Sequence, residues 1–405
     1  MLLPVVIGVL VLQAYHPLWR PHLQGDVVTF QLRAAHFLDN SSWAGLGYNE
    51  YQPGALWFFV LLGRLTPAVH NFDGFLTATV LANAALLAAH FAFFAWLGPR
   101  TAAPVFLALA LAAGPILFHR FELLVSLIVL VAWLLFRFRS FAGAALLLGM
   151  AVAMKVYPAV LLPLVVVAAA RRRREAGVLT AVAFAAGVAI PTGLYLVTGG
   201  TPTELVEALR FHQQKPVGLE GVVGTVVMLV QWTLGMPVRI TPGFGVHGFT
   251  SDLPLLTNSV LELLWIVPTG LLFLAIVWRF RRRGLAHPAF AFALLLVFVV
   301  FAKVLNPQYL WWFLVFLPWI PPAWWGTLRW RAVLVAAIAA LLLTQVVYPI
   351  FYSDYLAWFQ QQFDSAALFY LGLLRNALLL VLLGLTLVAL YRQLPARDRP
   401  AERGV

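Results

Sequence analysis

Cysteine is absent from all 405 residues, so the chain can form no disulfide, no thiol nucleophile and no thiolate metal site. Charge is scarce as well: acids and bases make up 10% of the residues, against about 25% in soluble domains. That scarcity excludes an ordinary water-soluble fold. No Asp-x-Asp pair occurs, and neither an internal repeat nor a low-complexity segment interrupts the chain. Lysine is nearly missing too, with Lys155, Lys215 and Lys303 the only three.

What fills the chain instead is apolar. Hydrophobic residues reach 62%, and mean hydropathy is +0.90, the composition of a polytopic membrane protein. Dividing the chain at its arginine clusters and turn signals predicts spans near 2–18, 74–97, 102–118, 121–136, 141–154, 157–170, 177–197, 257–278, 287–303, 308–326, 332–350 and 367–391. Met1–Ala14 reads as the first of these spans rather than as a cleaved signal peptide. The pair 141–154 and 157–170 is short for two full crossings and suits a broken or re-entrant pair meeting at Lys155–Pro158.

The net charge of +12 does not indicate a nucleic-acid partner, because the arginines stand in short clusters between apolar spans. Alternation of the spans puts 17 arginines on one side and 6 on the other, with Arg375 inside the last span. By the positive-inside rule both termini are then cytoplasmic. Two long loops, 19–73 and 198–256, fall outside, and 392–405 forms a cytoplasmic tail. The reading is one integral-membrane domain over 1–405. The apolar piece Val222–Leu234 is too short to span and is expected at the interface.

With that topology the unusual polar residues converge on one face. Asp26, Asp39 and Glu50 lie in the first outer loop. His119, Arg120 and Glu122 follow in the next outer turn, then Lys155 and Tyr157, then His212, Lys215 and Glu220, then Lys303, Asn306 and Gln308. All three lysines are on the side the positive-inside rule disfavours, so they need another reason. Charges at bilayer depth cost roughly 2.5–3.5 kcal/mol and usually face a polar cavity. Asp73, Glu204, Glu207 and Asp354 read as helix-start or interfacial acids, and His90 and Arg375 as groups satisfied inside the bundle. The stretch "YLWWFLVFLPWIPPAWW" (309–325) suits an interfacial aromatic belt as well as a binding wall.

An acid after the first span, then "YNEYQPG", "HRFE", "KVYPAVLLP", "FHQQKPVGLEG" and "NPQYLWW" in this order resemble glycosyltransferase family 87 over roughly residues 20 to 320. These are bacterial GT-C enzymes, similar to the polyprenyl-phosphate-mannose mannosyltransferases and arabinofuranosyltransferases of actinobacteria. The resemblance implies an all-α GT-C bundle of about 12 transmembrane helices in the bacterial plasma membrane, with outer loops carrying interfacial helices. It also implies an inverting transfer of one sugar, mannose first and arabinofuranose next, from a polyprenyl-phosphate donor to a glycolipid or polysaccharide acceptor.

Matched by position, Asp26 is the family's first-loop acid, and Tyr51 and Pro53 fit its Tyr-Pro-Pro segment with Gln52 replacing one proline. Lys155, Tyr157 and Pro158 fit its Lys-x-Tyr-Pro turn. His212, Lys215 and Glu220 resemble its next polar segment, where Arg is commoner than Lys215; Gln308 and Tyr309 fit its Gln-Tyr pair. Such a transfer needs a base for the acceptor hydroxyl and fixed positive charge for the leaving phosphate. Asp26 is the first choice of base and Glu50 the second; Arg120, Lys155, His212 and Lys215 are the phosphate-binding candidates. No cofactor is expected, and a divalent metal on Asp26, Asp39 and Glu50 is the less favoured alternative. The rival function is a transporter or flippase of a lipid-linked or small polar substrate: a transporter would set its charges near the midplane, and a lipid-carrier flippase would need polar residues on both faces.

Overall fold

The computed structural model describes residues 2–17, 20–47, 50–236, 238, 240–243, 246–249, 258–280, 284–359 and 367–392. The basic cluster 281–283, the tail beyond Arg392 and the stretch 250–257 of the second long loop lie outside the described residues.

Among the described residues the fold is helical, with one small sheet. Leu2–Ala14 (α1) leads into Arg20–Asn40 (α2) and Pro53–Arg64 (α3), so the segment 19–73 is mostly two helices. Phe72–Leu97 (α4), Ala102–Ala113 (α5), Glu122–Arg137 (α6), Phe141–Val152 (α7), Leu162–Ala170 (α8) and Arg174–Val197 (α9) follow through short connections. Pro202–Gln214 (α10) is an amphipathic helix opened by a capping box between Thr201 and Glu204. Val217–Gly218 (β1), Val222–Thr233 (α11), Ile240–Gly243 (β2) and Val246–Phe249 (β3) complete the second long loop. The strands pair antiparallel in the order β1-β3-β2, with Val217 opposite Phe249 and Thr241 opposite Gly248.

The last third holds Asn258–Arg279 (α12), Pro288–Phe301 (α13), the short Leu310–Leu314 (α14) and Pro322–Trp325 (α15), then Thr327–Gln345 (α16), Tyr352–Phe359 (α17) and Ala367–Arg392 (α18). Every one of the twelve apolar segments is at least partly helical, as intrasegment hydrogen bonding requires in lipid. Among the described residues four helices are long and apolar enough to cross a membrane: Phe72–Leu97, Arg174–Val197, Arg329–Ile350 and Ala367–Arg392.

The shorter segments are broken at glycine and proline. Gly114 ends α5 at φ +63°, where an added Cβ would strike the Gln345 side chain. The pair expected to meet at Lys155–Pro158 does so: α7 ends at Val152 and a 3₁₀ turn, Tyr157–Leu161, precedes α8. The expected span 308–326 is not one helix. It is a 3₁₀ turn at Pro307–Tyr309, α14, a second 3₁₀ turn at Leu317–Trp319, and α15, because Pro307, Pro318, Pro321 and Pro322 each remove a backbone donor. This broken segment is almost wholly buried as far as Ile320, and Trp311, Trp319 and the later Trp325 lie in the core rather than in an outward belt.

Small residues let helices close up where hydrophobic burial gives little drive in lipid. Between α7 and α9, a Cβ on Gly149 would sit 2.2 Å from the Phe184 carbonyl, and one on Gly187 would sit 2.1 Å from that of Leu146. α6 carries Glu122 at one end and Arg137 at the other, 16 residues and so about 24 Å apart. The "HRFE" turn and the arginines at 137 and 139 therefore sit at opposite ends of α6.

Candidate active site

The "HRFE" turn enters α6 after the 3₁₀ turn Gly114–Phe118. Its backbone is pinned from α4, where buried Asn83 donates to the carbonyls of Phe118 (3.3 Å) and Arg120 (3.0 Å). Arg120 then ties three segments together. Its Nε lies 2.8 Å from Asp26 Oδ2, one terminal nitrogen donates to the Leu23 carbonyl (3.1 Å), and the other to the Tyr348 hydroxyl (3.3 Å). Tyr348 in turn donates to the His22 carbonyl at 2.7 Å. The Arg120 side chain is 7% exposed whereas that of Asp26 is 41% exposed, so the acid faces open space while its partner is held from behind.

Two residues on, Glu122 begins α6, where a carboxylate suits the helix N-terminus. It is fully buried and accepts from Lys155. The Lys155 ammonium sits in an aromatic cage, 4.7 Å from the ring centre of Phe121, 5.5 Å from Trp312 and 5.8 Å from Tyr309. Trp312 stacks on Tyr157 at 4.3 Å and on Tyr309 at 3.9 Å. Gly54 brings the "YQPG" segment to this cage. Its amide donates to the Ala153 carbonyl at 2.7 Å, and a Cβ there would stand as close to the same oxygen.

These turns enclose a cavity of about 430 Å³. Asp26, Glu50, Arg120, Lys155, Tyr157, His212, Lys215, Gln308 and Tyr309 all line it. So does Lys303, which sequence reasoning placed on the same face but left out of the site; its ammonium donates to the Gln213 carbonyl at 2.8 Å. All three lysines of the chain therefore reach one cavity. Val156, 47% exposed, and Leu209, 50% exposed, also line it, so part of its wall is apolar and open at the surface.

Burial and the neighbouring ammoniums govern the titration of this cavity. Desolvation is the main force lowering Lys215 to about 8, with Lys155 and Lys303 adding to it and Glu50 and Asp26 opposing. Desolvation, then Lys215 and Lys155, hold His212 at about 4, so its ring is neutral. Glu50 is pushed upward, chiefly by burial and further by Asp26, against a hydrogen bond from Tyr51 and the Lys215 charge.

Glu220 stands apart from this set. It lines an adjoining cavity of about 460 Å³ that shares Asp26, Arg120, Val304, Asn306 and Gln308 with the first. Its backbone is held from α18: Arg375 donates to the Glu220 carbonyl, and Asn376 donates to the carbonyls of Glu220 and Gly221, both at 3.3 Å. Arg375 is thus held inside the bundle through Nε and one terminal nitrogen while its other terminal nitrogen has no hydrogen bond among the described residues, whereas His90 is satisfied, its ring meeting the Leu86 carbonyl at 2.8 Å and Ser126 Oγ at 3.0 Å.

No protein-family model and no curated protein sequence matches this chain. The acid trio Asp26, Asp39 and Glu50, the less favoured metal alternative, does not gather. Asp39 is 13 residues beyond Asp26 on α2, about 20 Å along the helix, and pairs with His70 instead. Among the described residues no three His, Asp or Glu side chains converge as metal ligands. His22, His247, Tyr348 and Tyr352 line the second cavity and escaped sequence reasoning; the only signal was the i, i+4 spacing of Tyr348 and Tyr352 in "YPIFY".

Proposed function

We propose that the protein is a polyprenyl-phosphate-dependent glycosyltransferase of the GT-C type with about 12 membrane spans. It transfers one sugar, mannose first and arabinofuranose next, to a glycolipid or glycan acceptor on the extracytoplasmic face of a bacterial plasma membrane. The observation that carries this reading is the cavity itself: nine residues from separate polar turns line it, and Lys303 joins Lys155 and Lys215 among them to bring all three lysines there. Four cations, Arg120, Lys155, Lys215 and Lys303, meet three acids, Asp26, Glu50 and Glu122. One positive charge is left in excess, matching the single negative charge of a glycosyl phosphodiester. The exposed apolar rim at Val156 and Leu209 suits a substrate whose lipid chain stays in the bilayer.

In this reading the acceptor hydroxyl gives its proton to the Asp26 carboxylate, and its oxygen forms a bond to the sugar's anomeric carbon. The bond from that carbon to the phosphate oxygen breaks, and its electron pair leaves with the polyprenyl phosphate. Attack opposite the leaving group inverts the centre. Arg120 fixes Asp26, and the lysines stabilise the departing phosphate.

The test is incubation of the purified protein with polyprenyl-phosphate-mannose and, separately, with decaprenyl-phosphate-arabinofuranose, each with an acceptor panel read by mass spectrometry. A new glycosidic product is expected from one donor. Accumulation of substrate in proteoliposomes with no new glycosidic bond would instead make the protein a transporter. Topology is checked in the naturally cysteine-free chain with single cysteines. Thr203→Cys should react with an impermeant thiol reagent in whole cells, whereas Arg173→Cys should be protected.

A further inference from the structure

The two adjoining cavities meet at Asp26, Arg120, Asn306 and Gln308 but differ in chemistry. The first gathers three lysines. The second has no lysine among its lining residues, and its one arginine is Arg120, already paired with Asp26. Its remaining polar groups are His22, Glu220, His247, Asn306, Gln308, Tyr348 and Tyr352. His247 meets the Tyr352 hydroxyl at 3.0 Å, and the Tyr352 ring lies edge-on to those of Tyr348, at 4.8 Å, and His22, at 5.9 Å. One oxygen of Glu220 is buried in the cavity wall without a hydrogen-bond partner. The Glu220 carboxyl also bonds the Tyr352 hydroxyl and feels the Arg375 charge, which fixes it in the cavity wall beside the two histidines.

We propose that this second cavity seats a neutral, polyhydroxylated ring, the terminal sugar of the acceptor, and presents its hydroxyl to Asp26 from the side away from the lysines. The inference rests on the transferase reading and adds to it the place and chemistry of the second substrate. Aromatic faces pack against the apolar face of such a ring. Glu220, His247 and Tyr352 supply the hydrogen bonds that orient it, as small polar sets do in binding pockets. Among the described residues no unpaired cation lines this cavity, which disfavours an anionic group here. At the shared wall the Asp26 carboxylate belongs to both cavities, so one base can serve a nucleophile on one side and an electrophile on the other. Arg120 is then an orienting group for Asp26 on the acceptor side rather than a phosphate ligand.

The test measures binding of two probes to the full-length protein in nanodiscs, for the wild type, His247→Ala, Tyr352→Phe and Lys215→Ala. The probes are n-octyl α-D-mannopyranoside, a neutral glycolipid, and undecaprenyl phosphate, the leaving group. His247→Ala and Tyr352→Phe should weaken the mannoside at least 10-fold and change undecaprenyl phosphate less than 2-fold. Lys215→Ala should show the reverse pattern. Loss of undecaprenyl phosphate with unchanged mannoside binding in the His247 and Tyr352 variants overturns the acceptor assignment while leaving the transferase intact. So does wild-type protein that binds undecaprenyl phosphate but shows no saturable mannoside binding. Wild-type protein that binds no undecaprenyl phosphate overturns the transferase reading and this inference with it.

Discussion

Two acid–base pairs stand two residues apart on one turn, and they differ in what surrounds the acid. Asp26 pairs with Arg120 but keeps 41% of its side chain accessible, whereas Glu122 pairs with Lys155 and keeps none. In the first pair the cation is buried and the acid faces two cavities. In the second the acid is buried and the cation faces the cavity through its aromatic cage. The same ionic contact therefore serves opposite ends. Buried Arg120 makes Asp26 a fixed but reachable base; buried Glu122 holds Lys155 where a phosphate can meet it, with much of its charge already answered.

The largest expected effect tests the reachable acid. Asp26→Asn keeps the shape and removes the proton acceptor, so turnover should fall by about 10²–10⁴-fold with undecaprenyl phosphate affinity nearly unchanged. Rate and binding measured on the same preparation separate the two. Glu122→Gln should act the other way. An uncompensated ammonium in a cage of Phe121, Tyr309 and Trp312 costs about 3 kcal/mol, the low end for a broken buried pair because Lys155 retains 20% of its surface. Thermal unfolding should show it as a lowered midpoint. The contrast collapses if Glu122→Gln abolishes turnover at unchanged stability, or if Asp26→Asn unfolds the protein and leaves the rate intact.

Lys215 sharpens the contrast because, among the described residues, no carboxylate pairs with it at contact distance. Its charge is thus more fully available than that of Lys155. Lys215→Ala should weaken undecaprenyl phosphate by roughly 10–100-fold, the value of a charge-assisted hydrogen bond; Lys215→Arg should be mild. Since Lys215 is lowered to about 8, its charged fraction falls from about nine-tenths at pH 7 to about one-tenth at pH 9. A phosphate binds the ammonium form, so wild-type affinity should drop as pH rises across that window. The same step should be missing from Lys215→Ala. A step that persists there belongs to another group.

How much of this was legible in the sequence divides along the same line. Helical apolar segments and the shared face of the polar turns were readable, because hydropathy and arginine clusters act locally along the chain. The broken pair at Lys155–Pro158 was readable because proline acts on its own helix. Which acid meets which base was not. Arg120 and Lys155 were both assigned to phosphate, and only the pinning of "HRFE" by Asn83 shows that one reaches Asp26 and the other Glu122. The second cavity was invisible for a similar reason. His22 and Tyr352 are 330 residues apart in sequence, and nothing local to either announces the other. The tryptophan-rich stretch left belt and binding wall open by composition; its three prolines, with Pro307 just before it, break it so that Tyr309 and Trp312 line the first cavity while Trp311, Trp319 and Trp325 enter the core.

The smallest effect is expected at the residue that most resembles Asp26 in sequence. Asp39 is the same acid on the same helix, and in the chain it stands nearer Glu50 than Asp26 does. Yet α2 carries it about 20 Å from Asp26, out of both cavities and into a pair with His70. Both members are at least half exposed, and exposed ion pairs contribute about 0–1 kcal/mol, reduced further by salt. Asp39→Asn should therefore change turnover and probe binding by less than 2-fold and leave the unfolding midpoint where it was. A fall approaching that of Asp26→Asn would mean that the reacting centre extends along α2 to its far end. The shared wall of the two cavities would then not be where transfer occurs.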